Sequence, residues 1–267
     1  LISFSPKPAG FFDPNNPSGI PPVITDDNEE FESRVDDGQS LDGTEWSDRS
    51  PLLSFSNTDM AFHKDILVAG NYHGFNIYKL QDDGIPKLYS SVVCPGGQGD
   101  VSIVGDLLLM SVEQTRGRVD CGLQGISEDV SKDRFRGLRI FDISNLAVPV
   151  QVGQVQTCRG SHTHSVVEQD DTRLIVYNSG TSSIREEEEL AGCVGTIPGD
   201  NRTALFRIDI IEIPLDDPSK SRIIDSPAVF ADEKTGRLAG LWQGGDHGES
   251  TQDTRQNDHC HDITVFP

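Results

Sequence analysis

The fold is decided by three runs of sequence: DVSIV at 100–104, DLLLMSV at 106–112 and GLRIFDISNLAVPVQVGQV at 137–155. Their apolar residues recur at strand spacing, and Gly, Asn and Pro mark the turns between them. The same pattern occurs earlier at 59–93 and later at 162–230, and it opens again at 259–263. Four short strands in an uninterrupted copy of about 40 residues are typical of a β-propeller blade.

We therefore predict an all-β chain that forms a partial β-propeller. It has about three four-stranded antiparallel blades plus the first strand of a fourth. The predicted blades cover residues 52–96, 97–159 and 160–232, and the next begins at 257. The insertions at 114–134 and 181–202 interrupt the second and third copies, and their Gly, Arg, Glu and Ser content indicates loops.

Residues 1–50 differ in composition from the repeats, being rich in Pro, Gly, Asn, Asp and Ser. Such a segment buries too little apolar area to offset the entropy lost on ordering. We predict an extended, largely disordered leader before a propeller at 51–267. The chain begins at Leu1, so we expect any signal peptide to have been removed or never included.

The charge of the chain is strongly negative, with 22 Lys and Arg against 43 Asp and Glu, a net of −21. This balance repels phosphate backbones, so we expect no nucleic-acid partner. It favours neutral or basic partners and cations. No apolar run approaches the roughly 18 residues of a membrane span. There is no serine-hydrolase elbow, phosphate-binding P-loop, H-E-x-x-H or C-x-x-C motif either.

The cysteines occupy repeated structural positions. Cys94 lies in the connector into the second repeat and Cys121 in the insertion between its second and third strands. Cys158 and Cys193 hold the equivalent places in the third repeat. Because these two kinds of loop share one face of a propeller, we predict the disulfides Cys94–Cys121 and Cys158–Cys193, each contributing about 3 kcal/mol. The alternative is a set of reduced cysteines in a cytosolic protein.

Cys260 starts the fourth repeat and is left unpaired. By the same rule we expect its partner in the matching loop beyond Pro267, which makes the odd count an indication of a truncated domain. We expect an extracellular, periplasmic or cell-surface location because disulfides persist in oxidising compartments.

The histidines cluster at the predicted strand openers. Alternate residues of a strand point the same way, so His162 and His164 are predicted to project together, as are His259 and His261. These four are the candidate metal ligands. Possible outer partners are Asp100, Asp262 and His247. Imidazole and carboxylate groups suit a divalent transition metal, and Zn, Cu, Fe and Mn stay open. The alternative is no cofactor, with these side chains capping connectors by hydrogen bonds to the backbone.

The repeat also resembles a known family. Residues 137–146 with Pro149, residues 74–78 and the openers at 161–164 and 260–263 resemble the LVIVD-repeat β-propeller proteins, over roughly 52–267. The resemblance implies an exported bacterial propeller, usually with more blades, and no settled activity. It also implies further histidines at later openers, which would complete a ring at the channel mouth. The third copy departs from the family at FRIDIIEI (206–213), which lacks the Asp-Ile-Ser-Asn turn.

Two functions remain open at this point. The first is a ligand- or protein-binding scaffold whose disulfide-stapled loops present one face to an unknown partner. The second is a metal-dependent propeller enzyme, such as a lactonase-like hydrolase or a copper oxidase, with a histidine-lined site completed by blades outside this chain. No catalytic residue is assigned from the sequence.

Overall fold

The computed structural model describes residues 57–195, 203–229 and 259–266, together with the backbone of a short strand at 23–25. The described part contains three antiparallel sheets and no α-helix. The predicted all-β class and the three four-stranded units are therefore confirmed. The predicted first strand of a fourth unit is not formed within the described residues 259–266, which have no strand pairing. The rest of the predicted leader, and His247, lie outside the described residues.

The first sheet is built from four consecutive strands. They are β2 (Asn57–His63), β3 (Ile66–Asn71), β4 (Gly74–Leu80) and β5 (Pro86–Val93). A fifth strand from the N-terminal segment, β1 (Val23–Thr25), adds to the free edge of β5 with Ile24 opposite Ser91. The sheet order is thus β1-β5-β4-β3-β2.

The second and third sheets repeat the same meander. The second holds β6 (Val101–Val104), β7 (Leu107–Val112), β8 (Gly137–Asp142) and β9 (Val150–Gln156). The third holds β10 (Thr163–Gln169), β11 (Arg173–Ser179), β12 (Asp209–Pro214) and β13 (Arg222–Asp225). A short 3-10 turn, Pro218–Lys220, joins β12 to β13.

The sheets pack face to face in chain order. One apolar layer joins the first and second sheets, and in it Phe75 and Phe141 meet edge to face with ring centroids 5.0 Å apart. A second layer joins the other face of the second sheet to the third through Leu109, Ile140 and Ile211. The second sheet is buried on both faces, which is why β7 reads as a continuous apolar run. Stabilisation comes from this burial, at about 25 cal/mol per Å² of apolar surface.

The first strands of the three sheets lie next to one another, since β6 contacts both β2 and β10. This arrangement fits a partial propeller-like fold. It places the starts of β2, β6 and β10 at one end of the molecule. The loops between the second and third strands of each sheet lie at that same end, because antiparallel strands alternate in direction.

Glycine fixes the entry into the third strand of the first two sheets. Gly74 and Gly137 have φ values of 142° and 146°. A Cβ at either position would lie 2.0 or 1.9 Å from a backbone carbonyl oxygen of the neighbouring strand. No other residue fits there without moving that strand. In the third sheet Asp209 stands at the corresponding position, opposite Asn178, so the departure of that copy from the repeat begins at this turn.

Candidate functional site

Two disulfides hold the long loops to one end of the molecule. Cys94 is bonded to Cys121 and Cys158 to Cys193, the two pairs that the blade rule predicts. We call the end that carries these four cysteines the stapled end. Cys260 lies in the fourth opener and is not disulfide-bonded; burial raises the pKa of its thiol. Both disulfides are compatible with an oxidising environment.

One buried carboxylate joins the loop between β7 and β8 to the loop between β11 and β12. We call these two stapled loops the second-sheet loop and the third-sheet loop. Glu189, in the third-sheet loop, accepts a hydrogen bond from the backbone N–H of Ser131 in the second-sheet loop at 2.8 Å. Its carboxylate is also paired with Arg134, and with Arg185 through Nε at 2.5 Å. The Glu189 side chain is only 1% exposed. The described parts of the two loops therefore form one continuous surface.

Several arginines are buried at or near this end, although the chain is strongly acidic. Arg136 donates from Nη1 to the carbonyl of Ser183 at 2.7 Å, and Arg159 donates from Nε to the carbonyl of Ser182 at 2.8 Å. Burial, with a smaller contribution from the charge of Arg185, lowers the pKa of Arg136 to about 10. Burial lowers the pKa of Arg139 to about 9. These guanidinium groups bind loop carbonyls, which explains how polar loops pack tightly here.

Carboxylates at the starts of β2 and β6 connect each repeat to the next by hydrogen bonds. Asp59 accepts a hydrogen bond from the backbone N–H of Val101 at 3.0 Å. Asp100 accepts one from the backbone N–H of His164 at 2.8 Å. Burial, reinforced by Asp100, raises the pKa of Asp59, although the bond from Val101 opposes that rise. Burial also pushes the pKa of Asp100 upward, but contacts with His164 outweigh it and the net shift is downward.

Hydroxyl groups of the third sheet hold the start of the fourth repeat, residues 259–263, by hydrogen bonds of the same kind. Thr163 and Ser179 each donate to the carbonyl of His261 at 2.9 Å. Ser165 donates to the carbonyl of Ile263 at 2.8 Å. Residues 259–266 are thereby held alongside β10, and His261 is brought to the start of the third sheet.

His162 lies between this opener and an acidic residue of the second sheet. Its Nδ1 is 2.8 Å from Oε2 of Glu113, which also accepts a hydrogen bond from the hydroxyl of Thr181 at 2.7 Å. The bond to Glu113 raises the pKa of His162 despite partial burial. Burial alone would raise the pKa of Glu113, but the bonds from His162 and Thr181 outweigh it and lower the pKa.

His164 points into a different, buried set of partners. Its Nδ1 lies 3.0 Å from Oδ2 of Asp100 and 2.9 Å from the hydroxyl of Ser111, which in turn contacts the hydroxyl of Ser161 at 2.6 Å. A catalytic triad uses one imidazole nitrogen for the carboxylate and the other for the nucleophile. Here both partners share Nδ1, and Nε2 is buried with no hydrogen-bond partner among the described residues. The cluster therefore has the geometry of a structural network and not of a serine triad.

The structure thus separates the members of one predicted histidine pair and joins members of different pairs. His162 and His261 have ring centroids 4.2 Å apart with planes tilted by 57°. Nδ1 of His261 lies 2.6 Å from Oδ2 of Asp262, so Asp100 and Asp262 do contact candidate histidines. Across the described ranges, no three or more His, Cys, Asp or Glu side chains are grouped so that together they could hold a metal ion.

Sequence reasoning missed two of the residues that organise this end. Glu113 directly follows β7 and Glu189 lies within a run of four glutamates that reads as a solvated face. The rule that second-to-third-strand loops share the stapled end could have identified Glu113. No signal in the sequence distinguishes Glu189 from its exposed neighbours, because only its packing against the second-sheet loop removes it from water.

In the part of the chain that is described, no helix is long and apolar enough to cross a membrane. No protein-family model and no curated protein matches the chain.

Proposed function

We propose that this protein is an exported, propeller-type scaffold that binds a ligand or protein partner through its stapled end. One observation carries the proposal: two disulfides and the buried Glu189 network fix two long loops into one surface. Long loops without secondary structure are uncommon in compact domains unless they serve a function.

Fixing the loops before binding favours affinity. Association costs about 0.5–1.5 kcal/mol for each flexible side chain that becomes ordered, together with the ordering of any mobile loop. Here the buried arginines and the disulfides already hold the described parts of the loop backbone in place. Because these arginines and disulfides are buried, a partner contacts the exposed side chains on the outer side of the loops instead.

The exposed side of the two loops is acidic. Its exposed carboxylates are Glu128, Asp129, Asp133, Glu186, Glu187 and Glu188. Lys132 and Arg116 are exposed cations of the same surface, and Val130 adds an apolar side chain that is 43% exposed. A surface of this composition suits a partner with a basic or neutral contact region, and attraction at this surface would weaken with salt.

The test starts with the intact, oxidised chain on arrays of defined glycans and peptides. Any ligand found is then titrated against Glu186→Lys and against Asp171→Lys. Asp171 is exposed in the turn between β10 and β11, at the opposite end, so the two variants make the same charge change. We expect at least about tenfold weaker binding for Glu186→Lys only, equal to about 1.4 kcal/mol. Equal effects of both variants, or no effect of either, would contradict binding at the stapled end.

A further inference from the structure

We infer that His162 and His261 form a two-imidazole site for a divalent transition-metal ion, with Nε2 of each ring as the ligand atom. The site goes beyond loop-mediated binding and does not depend on it. It joins residues from two successive repeats, 99 positions apart in the chain (261 − 162), which meet with ring centroids 4.2 Å apart.

The hydrogen bonds at Nδ1 decide which nitrogen is left for a metal. Glu113 lies 2.8 Å from Nδ1 of His162, and Asp262 lies 2.6 Å from Nδ1 of His261. Over the residues described, neither ring makes a hydrogen bond through Nε2. Metal-binding histidines characteristically give their second nitrogen to a carboxylate, which fixes the ring and increases the basicity of the ligand nitrogen. Both rings have this arrangement.

The charge around the pair favours a cation. Glu113 and Asp262 contact the two rings directly, and Asp100 is near enough to act on His162 electrostatically. The chain as a whole carries a net charge of −21, so the long-range field also attracts cations.

The position of the pair gives a metal access and open coordination positions. The His261 side chain is 62% exposed and that of His162 is 9% exposed, so an ion would approach from the His261 side. Two imidazoles leave the remaining positions to water or to a donor atom of a bound molecule. Imidazole ligands suit Zn²⁺, Cu²⁺ and Ni²⁺, and Cu²⁺ binds nitrogen sites most tightly in the divalent series.

The experiment uses the full chain carrying Cys260→Ser, which removes the neighbouring thiol from competition. After treatment with chelator and dialysis, Zn²⁺ is titrated by calorimetry and Cu²⁺ is followed by electron paramagnetic resonance. We expect one ion per chain and a Cu²⁺ spectrum with coupling to two nitrogens. His261→Ala should abolish both signals. Asp262→Asn, which removes only an outer partner, should weaken binding about 10- to 100-fold.

His63→Ala is the matched control, since His63 ends β2 at the opposite end of the inner strands. It should leave binding unchanged. Unaltered metal binding in His261→Ala would overturn the inference, as would an equal loss in His63→Ala, which indicates adventitious binding. Metal binding by the unsubstituted chain that vanishes in Cys260→Ser would also overturn it, because the thiol would then be the ligand. Because His261 is largely exposed, its replacement leaves folding intact, and circular dichroism checks this.

Discussion

Replacing Glu189 with Gln tests the view that one carboxylate joins the two stapled loops. The substitution keeps the shape of the side chain and removes its charge. Arg134 and Arg185 then lose their shared ionic partner while they stay buried. Removing one member of a buried ion pair costs about 3–5 kcal/mol, because the remaining charge is left uncompensated. The amide oxygen keeps one acceptor, so we expect about 3 kcal/mol, at the low end of this range.

The assay is urea unfolding of the oxidised protein, followed by far-ultraviolet circular dichroism and by fluorescence. Coincident transitions are required before a free energy of unfolding is assigned. Glu186→Gln is the control, because it makes the same chemical change three residues away on an exposed side chain. We expect this control to lie within about 0.5 kcal/mol of the parent protein.

A double-mutant cycle isolates the pair itself. Arg185→Gln and the combination with Glu189→Gln complete the cycle, and residues that share a network show coupling of about 0.5–3 kcal/mol. A loss below about 1 kcal/mol for Glu189→Gln, or a coupling energy near zero, would refute the reasoning. The two loops would then be held by their disulfides and by other hydrogen bonds, such as those from Arg136 to Ser182 and Ser183.

Three further outcomes follow from the structure. Replacing Cys158 and Cys193 by Ser should lower the free energy of unfolding by about 3–4 kcal/mol, since they close a loop with a sequence separation of 35; an unchanged urea midpoint would contradict this. Gly153→Ala should cost about 1–3 kcal/mol, because its Cβ would lie 2.3 Å from a carbonyl oxygen of the 3-10 turn. Gly195→Ala, with only an ordinary contact at 3.7 Å, should be nearly neutral, and thermal melts compare the two. The hydrogen bond from the guanidinium of Arg118 lowers the pKa of Asp120. The ionised Asp120 therefore stabilises the folded state above the ordinary carboxyl pKa of about 3.9, and this contribution is lost as the pH falls. Asp120→Asn should make the free energy of unfolding less dependent on pH in that acid range. The same pH dependence as in the parent protein would count against this role of Asp120.

Much of the fold could be predicted from the sequence because its determinants are local and repeated. The apolar periodicity of residues 100–112 and 137–155 indicates strands, and the turn residues between them indicate a meander. The disulfide pairs also follow, since equivalent loops of equivalent blades carry the cysteines. The physical reason is repetition. Because each copy uses the same strand pairing, the structural position of a residue in one copy predicts that of the matching residue in the next.

The partners of each side chain were decided only by the tertiary structure. Strand alternation predicts that His162 and His164 act together, yet the packing gives His162 to Glu113 and His261 and gives His164 to Asp100. These contacts join residues of different repeats, and their choice depends on how the sheets stack. Periodicity within a strand tells which face a side chain occupies. Which side chain of another repeat it contacts there depends on the distance between the sheets and on the course of the loops. Both are properties of the folded chain.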